Sequence, residues 1–260
     1  MYSATPALRA AWKELLHWVL DRAHLPWKVI DYDAPAPLSE LWARKDLGIA
    51  LMCGLPFSKS DPQPILIAAP IPSPARYAGR AVYFTDIVVR ADSGLEKLED
   101  TFGGTVGYTL ADSLSGGVAL ARHLDQFRST ERPRLYKNSV GNLIHARGVI
   151  EAIVRNELDA GPLDSYYHDL LKHNDAAFAS QVKTIASTCS LPIPPLIATA
   201  PLSAKQLQSL RDALAATSKA LELKPTMECL LLAGFAFPEA REYAFLSALD
   251  KTPASAFEEL

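Results

Sequence analysis

The segment DSLSGG at residues 112–117 carries residue types and a spacing that suit the binding of an oxyanion. Because it lies between a predicted strand and a predicted helix, we expect Ser113, Ser115 and the backbone N–H groups around Gly116 and Gly117 at a helix N-terminus. The first amides of a helix have no partner within the helix, and the helix dipole makes that end positive. Two hydroxyls at i and i+2 add donors for a tetrahedral oxyanion, and glycine lets a ligand approach the backbone. The same residues also fit an ordinary N-cap followed by a glycine-containing turn, so both interpretations stay open.

Motifs for other chemistry are absent from the sequence. A nucleophile elbow needs glycine two residues before and after its serine, and Ser113 stands where the first glycine should be. No Gly-Lys-Ser/Thr follows, as a P-loop would require. Cys53, Cys189 and Cys229 lie far apart and form no CxxC or Cys/His cluster, which disfavours a zinc site. We therefore predict no metal, no cofactor and no set of catalytic residues.

The composition indicates a globular protein that does not bind nucleic acid. The 260 residues carry a formal net charge of −3, with 49% apolar and 21% charged residues, which is typical of a folded domain. There is no basic excess to neutralise phosphate groups, so we predict no nucleic-acid partner. No apolar run reaches the roughly 18 residues that a membrane-spanning helix needs, so we predict no membrane span.

Predicted strands and helices alternate along the chain. This alternation predicts an α/β fold with mainly parallel sheets and flanking helices. The apolar C-terminal segment that begins at Cys229 is helical in tendency. Two breaks, VVRADSG at 88–94 and SLPIPP at 190–195, have the character of crossings between lobes. We therefore predict one lobe from residues 1–92 and 193–260, an inserted lobe from residues 93–192, and a ligand cleft between them.

Four motifs in a fixed order resemble the solute-binding proteins of phosphate and phosphonate ABC transporters. They are CGLP (53–56), YFTDIVVRADSG (83–94), DSLSGG (112–117) and LDAGPLD (158–164). SLPIPP is similar to the segment with which that family returns to its first lobe. The resemblance implies the two-lobed fold of the type II periplasmic binding proteins, in which the lobes close on a ligand by a hinge movement.

The resemblance also implies which residues contact the ligand. Ser113, Ser115 and Gly116, followed by Gly117, correspond to the turn whose hydroxyls and amides hold the phosphonate oxygens.

Four further residues correspond to family positions around the cleft. Tyr83 and Thr85 match positions at the end of a first-lobe strand. Asp164 matches an acidic residue that faces a ligand's amino group, where a carboxylate would pair with an aminoalkyl cation. His145 matches a histidine of the family's helix.

Simpler structural roles remain open for the acidic and histidine candidates. Asp164 precedes the predicted helix SYYHDLL and is a good N-cap residue. His145 has apolar neighbours on its helix, which is typical of a packed or capping histidine. His168 and His173 are five residues apart, which is not the i,i+4 spacing of a helical metal-binding pair. We expect these two histidines to face solvent.

The resemblance implies a solute-binding protein that captures a small phosphonate-like or phosphate-ester anion and presents it to an ABC permease. The alternative is a cytoplasmic enzyme on the same fold, similar to enzymes of menaquinone or thiamin-pyrimidine biosynthesis. The N-terminal residues lack the basic start and apolar core of a signal peptide. We therefore expect a periplasmic protein if a leader was removed and a cytoplasmic protein otherwise.

Overall fold

The first helix is amphipathic, and its limits follow from the sequence around Thr5. In the computed structural model, which describes residues 2–32 and 36–249, helix α1 runs Pro6–Arg22. The Thr5 hydroxyl accepts a hydrogen bond from the Leu8 amide at 3.2 Å, and Pro6 occupies the first turn, where no amide is required. Leu8, Leu15 and other apolar residues at helical spacing are buried along one face.

The other helices and strands are short and follow in close succession. Up to residue 83 they are α2 (Leu38–Ala43), β1 (Ala50–Leu51), α3 (Gly54–Lys59), β2 (Ile65–Pro72) and β3 (Val82–Tyr83). The middle of the chain contains β4 (Thr85–Arg90), β5 (Thr105–Gly107), α4 (Ala119–Asp125), β6 (Asn138–Val140), α5 (Ala146–Val154), β7 (Gly161–Asp164), α6 (Ser165–Asn174), α7 (Ala176–Ala179), β8 (Val182–Ser187) and β9 (Leu191–Pro192). The last part contains β10 (Leu196–Ala198), α8 (Ala204–Ala216), α9 (Lys224–Cys229), β11 (Leu232–Ala236) and α10 (Leu246–Leu249).

The described residues divide into two compact units. Unit 1 comprises residues 2–82 and 192–245, and unit 2 comprises residues 83–191 and 246–249. The sequence places the first crossing near residues 88–94, whereas β4 already belongs to unit 2 because it is the middle strand of that unit's sheet. The predicted lobe containing residues 193–260 extends beyond the described residues at its C-terminal end. The predicted lobe boundaries remain a prediction.

Unit 1 contains a four-stranded sheet in the order β1-β10-β2-β11, and every neighbouring pair is antiparallel. Its central strand β2 has the sequence ILIAAPIP, and Ile67, Ala68 and Ala69 are fully buried. The segment after Cys229 differs from its helical prediction, because Leu232–Ala236 forms strand β11 beside β2. A hydrogen-bonding partner outweighs the weak helical tendency of this short segment.

Unit 2 has β4 between β7 and β8, with both pairs antiparallel. Strands β5 and β6 form a parallel pair, and a parallel bridge joins Val106 of β5 to Ala160, the residue that precedes β7. One face of β4 contributes Ile87 and Val89 to a core that also includes Leu120 of α4. Burial of these side chains removes apolar surface from water and holds the strands and α4 together.

The expectation of mainly parallel sheets is wrong, although helices and strands do alternate. Among the described residues, the β5–β6 pair and the Val106–Ala160 bridge are parallel. The antiparallel pairs described above are β1–β10, β10–β2, β2–β11, β4–β7 and β4–β8. Alternation predicts parallel pairing only where consecutive strands are neighbours. Here β2 and β4 pair with strands that lie far along the chain, so alternation does not determine their direction.

We predict that Leu120→Ala lowers the free energy of unfolding by about 2–5 kcal/mol, because Leu120 is fully buried and its truncation leaves a cavity. The matched control is Leu221→Ala, the same chemical change at a side chain that is 84% exposed, where we expect a change within about 0.5 kcal/mol. Urea denaturation of the two variants measures both values. Equal losses in the two variants would contradict the placement of Leu120 in the core.

Candidate functional site

The segment DSLSGG forms the start of a helix, as the sequence predicts. Residues Leu114–Val118 make one π-helical turn that continues directly into α4, giving a helix from residue 114 to 125. Ser113 is its N-cap, and its hydroxyl oxygen accepts a hydrogen bond from the Gly116 amide at 3.2 Å. A hydroxyl that accepts one hydrogen bond still has its own proton to donate. We call residues 113–117 the Ser113 turn.

Gly116 is in the Ser113 turn because no side chain fits at that position. A Cβ atom built on Gly116 would lie 1.8 Å from the Thr109 Oγ1 atom and 3.0 Å from the Ser113 Oγ atom. The Thr109 amide also donates to the Gly116 carbonyl at 2.9 Å, which brings the two backbones together. Gly116 and Gly117 are both buried. Gly116 therefore serves the close packing of the turn itself.

Thr85 holds the Ser113 turn from the side of the sheet. Its hydroxyl donates to the Ser115 carbonyl oxygen at 2.8 Å, and the residue is only 1% exposed. Its amide donates to the Thr188 hydroxyl oxygen at 3.0 Å, and its carbonyl accepts from the Thr188 amide at 2.9 Å. The resemblance implies that Thr85 contacts the ligand. In the structure its hydroxyl donates within the protein, so Thr85 supports the Ser113 turn, and ligand contact by Thr85 remains a prediction.

Three helices of unit 2 begin at the same edge of the sheet. Strands β5, β6 and β7 run parallel, so their carboxyl ends lie together, and we call this the carboxyl edge. The helix that follows each strand starts there, with Ser113, His145 and Asp164 as the three N-caps. Helix N-termini that meet in one place present their amides and the positive ends of their dipoles to the same region.

His145 and Asp164 both cap helices. The His145 Nδ1 atom accepts from the Gly148 amide at 3.0 Å on an exposed side chain, and the Asp164 Oδ1 atom accepts from the Tyr167 amide at 3.0 Å. Asp164 is half-buried and lies opposite Thr85 across the β4–β7 pair. Tyr83 is 2% exposed, which leaves little of its surface for a ligand. Ligand contact by these three residues remains a prediction.

The structure buries a polar cluster that the sequence did not predict. His168 was expected to face solvent, but it is fully buried, with its Nδ1 atom 2.9 Å from the Asp86 Oδ2 atom. Asp86 is also fully buried, and its Oδ1 atom accepts from the Ser187 hydroxyl at 2.8 Å. The expectation was wrong because His168 lies on the same helical face as Ser165 and Leu171, which are both buried. That spacing was the one signal in the sequence that indicated burial.

Burial lowers the pKa of His168 below its ordinary value of 6.5, because desolvation disfavours the imidazolium. The hydrogen bond to Asp86 acts in the opposite direction and is the smaller effect. Neutral His168 therefore donates its Nδ1 proton to the Asp86 carboxylate. Its Nε2 atom has no hydrogen-bond partner among the residues that the structure describes.

A family model described as "ABC transporter, phosphonate, periplasmic substrate-binding protein" matches residues 3–243. The chain belongs to this family. The predicted resemblance to phosphonate-type solute-binding proteins is thereby confirmed over nearly the whole chain. No curated protein matches the sequence significantly.

Solved structures show the fold that this family adopts. The binding-protein component of an ABC phosphonate transporter from Pseudomonas aeruginosa is 18% identical, with 98% of this chain and 93% of that chain covered and a TM-score of 0.71. PhnD1 from Prochlorococcus marinus, solved with methylphosphonate, is 15% identical, with coverage of 94% and 92% and a TM-score of 0.76. XAC2383 from Xanthomonas citri, solved with ATP, is 16% identical, with coverage of 96% of each chain and a TM-score of 0.65. The predicted α/β fold of type II periplasmic binding proteins is confirmed by these similarities.

Two features are absent from the described residues of this phosphonate-family chain. No helix in residues 2–32 and 36–249 is both long and apolar enough to cross a membrane. The same part of the chain holds no group of three or more His, Cys, Asp or Glu residues placed to bind a metal ion.

We predict that the free energy of unfolding decreases as the pH falls below about 6.5. The folded-state pKa of His168 is lower than its unfolded value, so the unfolded chain takes up the proton first, and stability is lost between the unfolded and the folded pKa. One such group changes the stability by at most about 1.4 kcal/mol per pH unit. Urea denaturation between pH 8 and pH 5 measures this slope.

The control for this prediction is His168→Asn, which removes the titrating group. Burial also lowers the pKa of His123, with the same sign, but that residue is unchanged in both proteins. The difference between the two slopes therefore belongs to His168, and we expect the variant's slope to be the shallower one. Identical slopes would contradict the burial of a neutral imidazole at this position.

Proposed function

We propose that this protein captures a small phosphonate-like or phosphate-ester anion and delivers it to the permease of an ABC importer. The observation that carries the proposal is the Ser113 turn at the carboxyl edge of unit 2, where three helices begin. Membership of the phosphonate substrate-binding family supports it, and so does the fold shared with PhnD1, which was solved with methylphosphonate. We place this activity in the periplasm, as the family description implies.

The donors for the anion come from the Ser113 turn. The hydroxyls of Ser113 and Ser115 each have a proton to donate. The first four amides of the helix have no acceptor within the helix. One of them, the Gly116 amide, donates to the Ser113 hydroxyl oxygen. Leu114, Ser115 and Gly117 supply the remaining amides. Hydroxyl and amide donors together with a positive helix end suit an oxyanion with several negatively charged oxygens.

Asp164 makes the proposal more specific. Asp164 in β7 lies opposite Thr85 in β4, and the Thr85 hydroxyl bonds the Ser115 carbonyl. The Asp164 carboxylate is therefore one strand away from the residue that supports the Ser113 turn. One of its oxygens caps α6, and a carboxylate has further lone pairs for a cation. We propose that Asp164 faces the amino group of an aminoalkyl ligand.

We predict that Ser115→Ala weakens the binding of methylphosphonate or inorganic phosphate by about 10- to 150-fold. A hydrogen bond to a charged group contributes about 1.5–3 kcal/mol, and about 1.4 kcal/mol corresponds to a factor of ten in affinity. Isothermal titration calorimetry of the wild type and the variant with each anion measures the effect.

The control is a helix-capping serine in unit 1, which shows the effect of the same change of residue away from the Ser113 turn. Ser203 caps α8 by accepting from the Gln206 amide at 3.2 Å, as Ser113 does from Gly116 at the same distance. We expect Ser203→Ala to lower stability by about 0.5–2 kcal/mol through the lost cap and to leave the affinity unchanged. If Ser115→Ala and Ser203→Ala bind equally well, or the wild type binds neither anion, the proposed anion site is refuted.

We predict that Asp164→Asn weakens the binding of 2-aminoethylphosphonate and spares methylphosphonate. Asparagine caps helices as well as aspartate does, so the change removes the charge and keeps α6 intact. Thermal unfolding checks that the variant is as stable as the wild type, and calorimetry with the two phosphonates gives the ratio of affinities. A parallel loss for both ligands would show that the Asp164 carboxylate does not distinguish the amino group.

A further inference from the structure

We propose that His168, Asp86 and Ser187 are positioning residues that set the geometry of the Ser113 turn. We call these three residues the buried polar cluster. The inference rests on the proposed function, because it assigns these residues a role in the affinity for the same anion. None of the three was a candidate ligand contact.

The buried polar cluster joins three elements at a single carboxylate. Asp86 of β4 contacts His168 of α6 at 2.9 Å with one oxygen and the hydroxyl of Ser187 in β8 at 2.8 Å with the other. Asp86 and His168 are both fully buried. Hydrogen bonds to a charged group in such a place are stronger than those in water, so they hold α6, β4 and β8 at defined distances.

Asp86 and Ser187 are each adjacent in sequence to a residue that helps to hold the Ser113 turn. Asp86 follows Thr85, whose hydroxyl holds the Ser115 carbonyl. Ser187 precedes Thr188, whose hydroxyl accepts from the Thr85 amide. A displacement of either Asp86 or Ser187 therefore moves Thr85, and with it the carbonyl of Ser115.

The backbone on the α6 side makes the same connection. The Ser165 amide donates to the Phe84 carbonyl at 2.9 Å, and the Phe84 amide donates to the Ser165 hydroxyl at 3.0 Å. Helix α6 is therefore bonded by its first residue to Phe84, which immediately precedes β4, and by His168 to Asp86 within β4. Thr85 lies between these two points.

The β4–β8 pairing is irregular close to the buried polar cluster. The register shifts between Ile87 and Val88, one residue pair beyond the Asp86–Ser187 pair. An irregularity of this kind disrupts the ladder locally and bends the strand, and such bulges occur often beside functional sites. The Ser187–Asp86 hydrogen bond adds a side-chain connection between the two strands one residue pair before this irregularity.

Stability alone does not account for the cluster. Apolar side chains of similar volume often stabilise a core as well as a buried charged pair does, or better. The Nε2 atom of His168 is buried with no hydrogen-bond partner among the described residues, which lowers stability further. The polar residues therefore provide geometry at the expense of stability, and that geometry is transmitted to Thr85.

The test compares His168→Phe with the conservative variant His168→Asn. The amide nitrogen of asparagine can take the place of Nδ1 and donate to Asp86, whereas phenylalanine leaves that oxygen of the carboxylate without this donor. The matched control is Tyr136→Phe, which removes the buried 2.7 Å hydrogen bond between Tyr136 and Thr101 in the same unit. Tyr136 lies two residues before β6 begins, so it is at the end of that strand away from the carboxyl edge.

Two measurements are made on the full chain, well below the unfolding temperature of each variant. Calorimetry gives the affinities for methylphosphonate and inorganic phosphate, and a ¹H–¹⁵N spectrum of the ligand-free protein reports the amides of Ser115 and Gly116. We expect His168→Phe to weaken anion binding by about 2- to 30-fold and to shift both amides. We expect His168→Asn to keep the wild-type affinity. We expect Tyr136→Phe to change neither the affinity nor the two amide signals, although it lowers stability.

Ser187→Ala provides the same test if His168→Phe does not fold, because it truncates only a hydroxyl and we expect it to weaken binding and shift the same amides. Unchanged affinity and unchanged amides in these variants, while Ser115→Ala loses affinity, would overturn the positioning role and leave the proposed function intact. A wild type that binds neither anion overturns the proposed function. In that case the amide shifts of the ligand-free protein still decide whether the cluster positions the Ser113 turn.

Discussion

The buried carboxylate of Asp86 is the constraint on which the arrangement of unit 2 depends. Removing a charged carboxylate from water is unfavourable by several kcal/mol unless hydrogen bonds compensate. The fold brings His168 and Ser187 to its two oxygens, and this fixes α6 and β8 on either side of β4.

Features that depend on neighbouring residues could be predicted from the sequence. Helix α1 was predictable because Thr5, Pro6 and a regular apolar stripe act within a few turns of one another. The helix start at Ser113 was predictable for the same reason. The direction of the strands could not be predicted, because β2 and β4 pair with strands from distant parts of the chain. The strand β11 was missed because its partner, and not its own composition, determines its conformation.

The candidate site was predictable in part. The contacts that could not be predicted join residues that lie far apart along the chain. The motifs placed Ser113, Thr85 and Asp164 in one region, and the structure joins Thr85 to both Ser115 and Asp164. The direction in which each hydroxyl donates could not be predicted, so the support that Thr85 gives to the Ser115 carbonyl was not foreseen. Asp86 and His168 were overlooked because charged and polar residues are usually exposed, and their burial depends on a partner 82 residues away. Identities of 15–18% to solved relatives show how much sequence can change while the fold is retained.

The lack of space at Gly116 limits how this protein can diverge in evolution. A Cβ atom there would collide with the Thr109 hydroxyl, so the position does not accept a side chain that could reshape the floor of the Ser113 turn. Mutations that alter ligand preference without damage to the turn are therefore confined to residues around it. Selection and directed evolution can broaden or narrow the range of substituents that such a ligand carries, while the backbone surface beneath them stays the same.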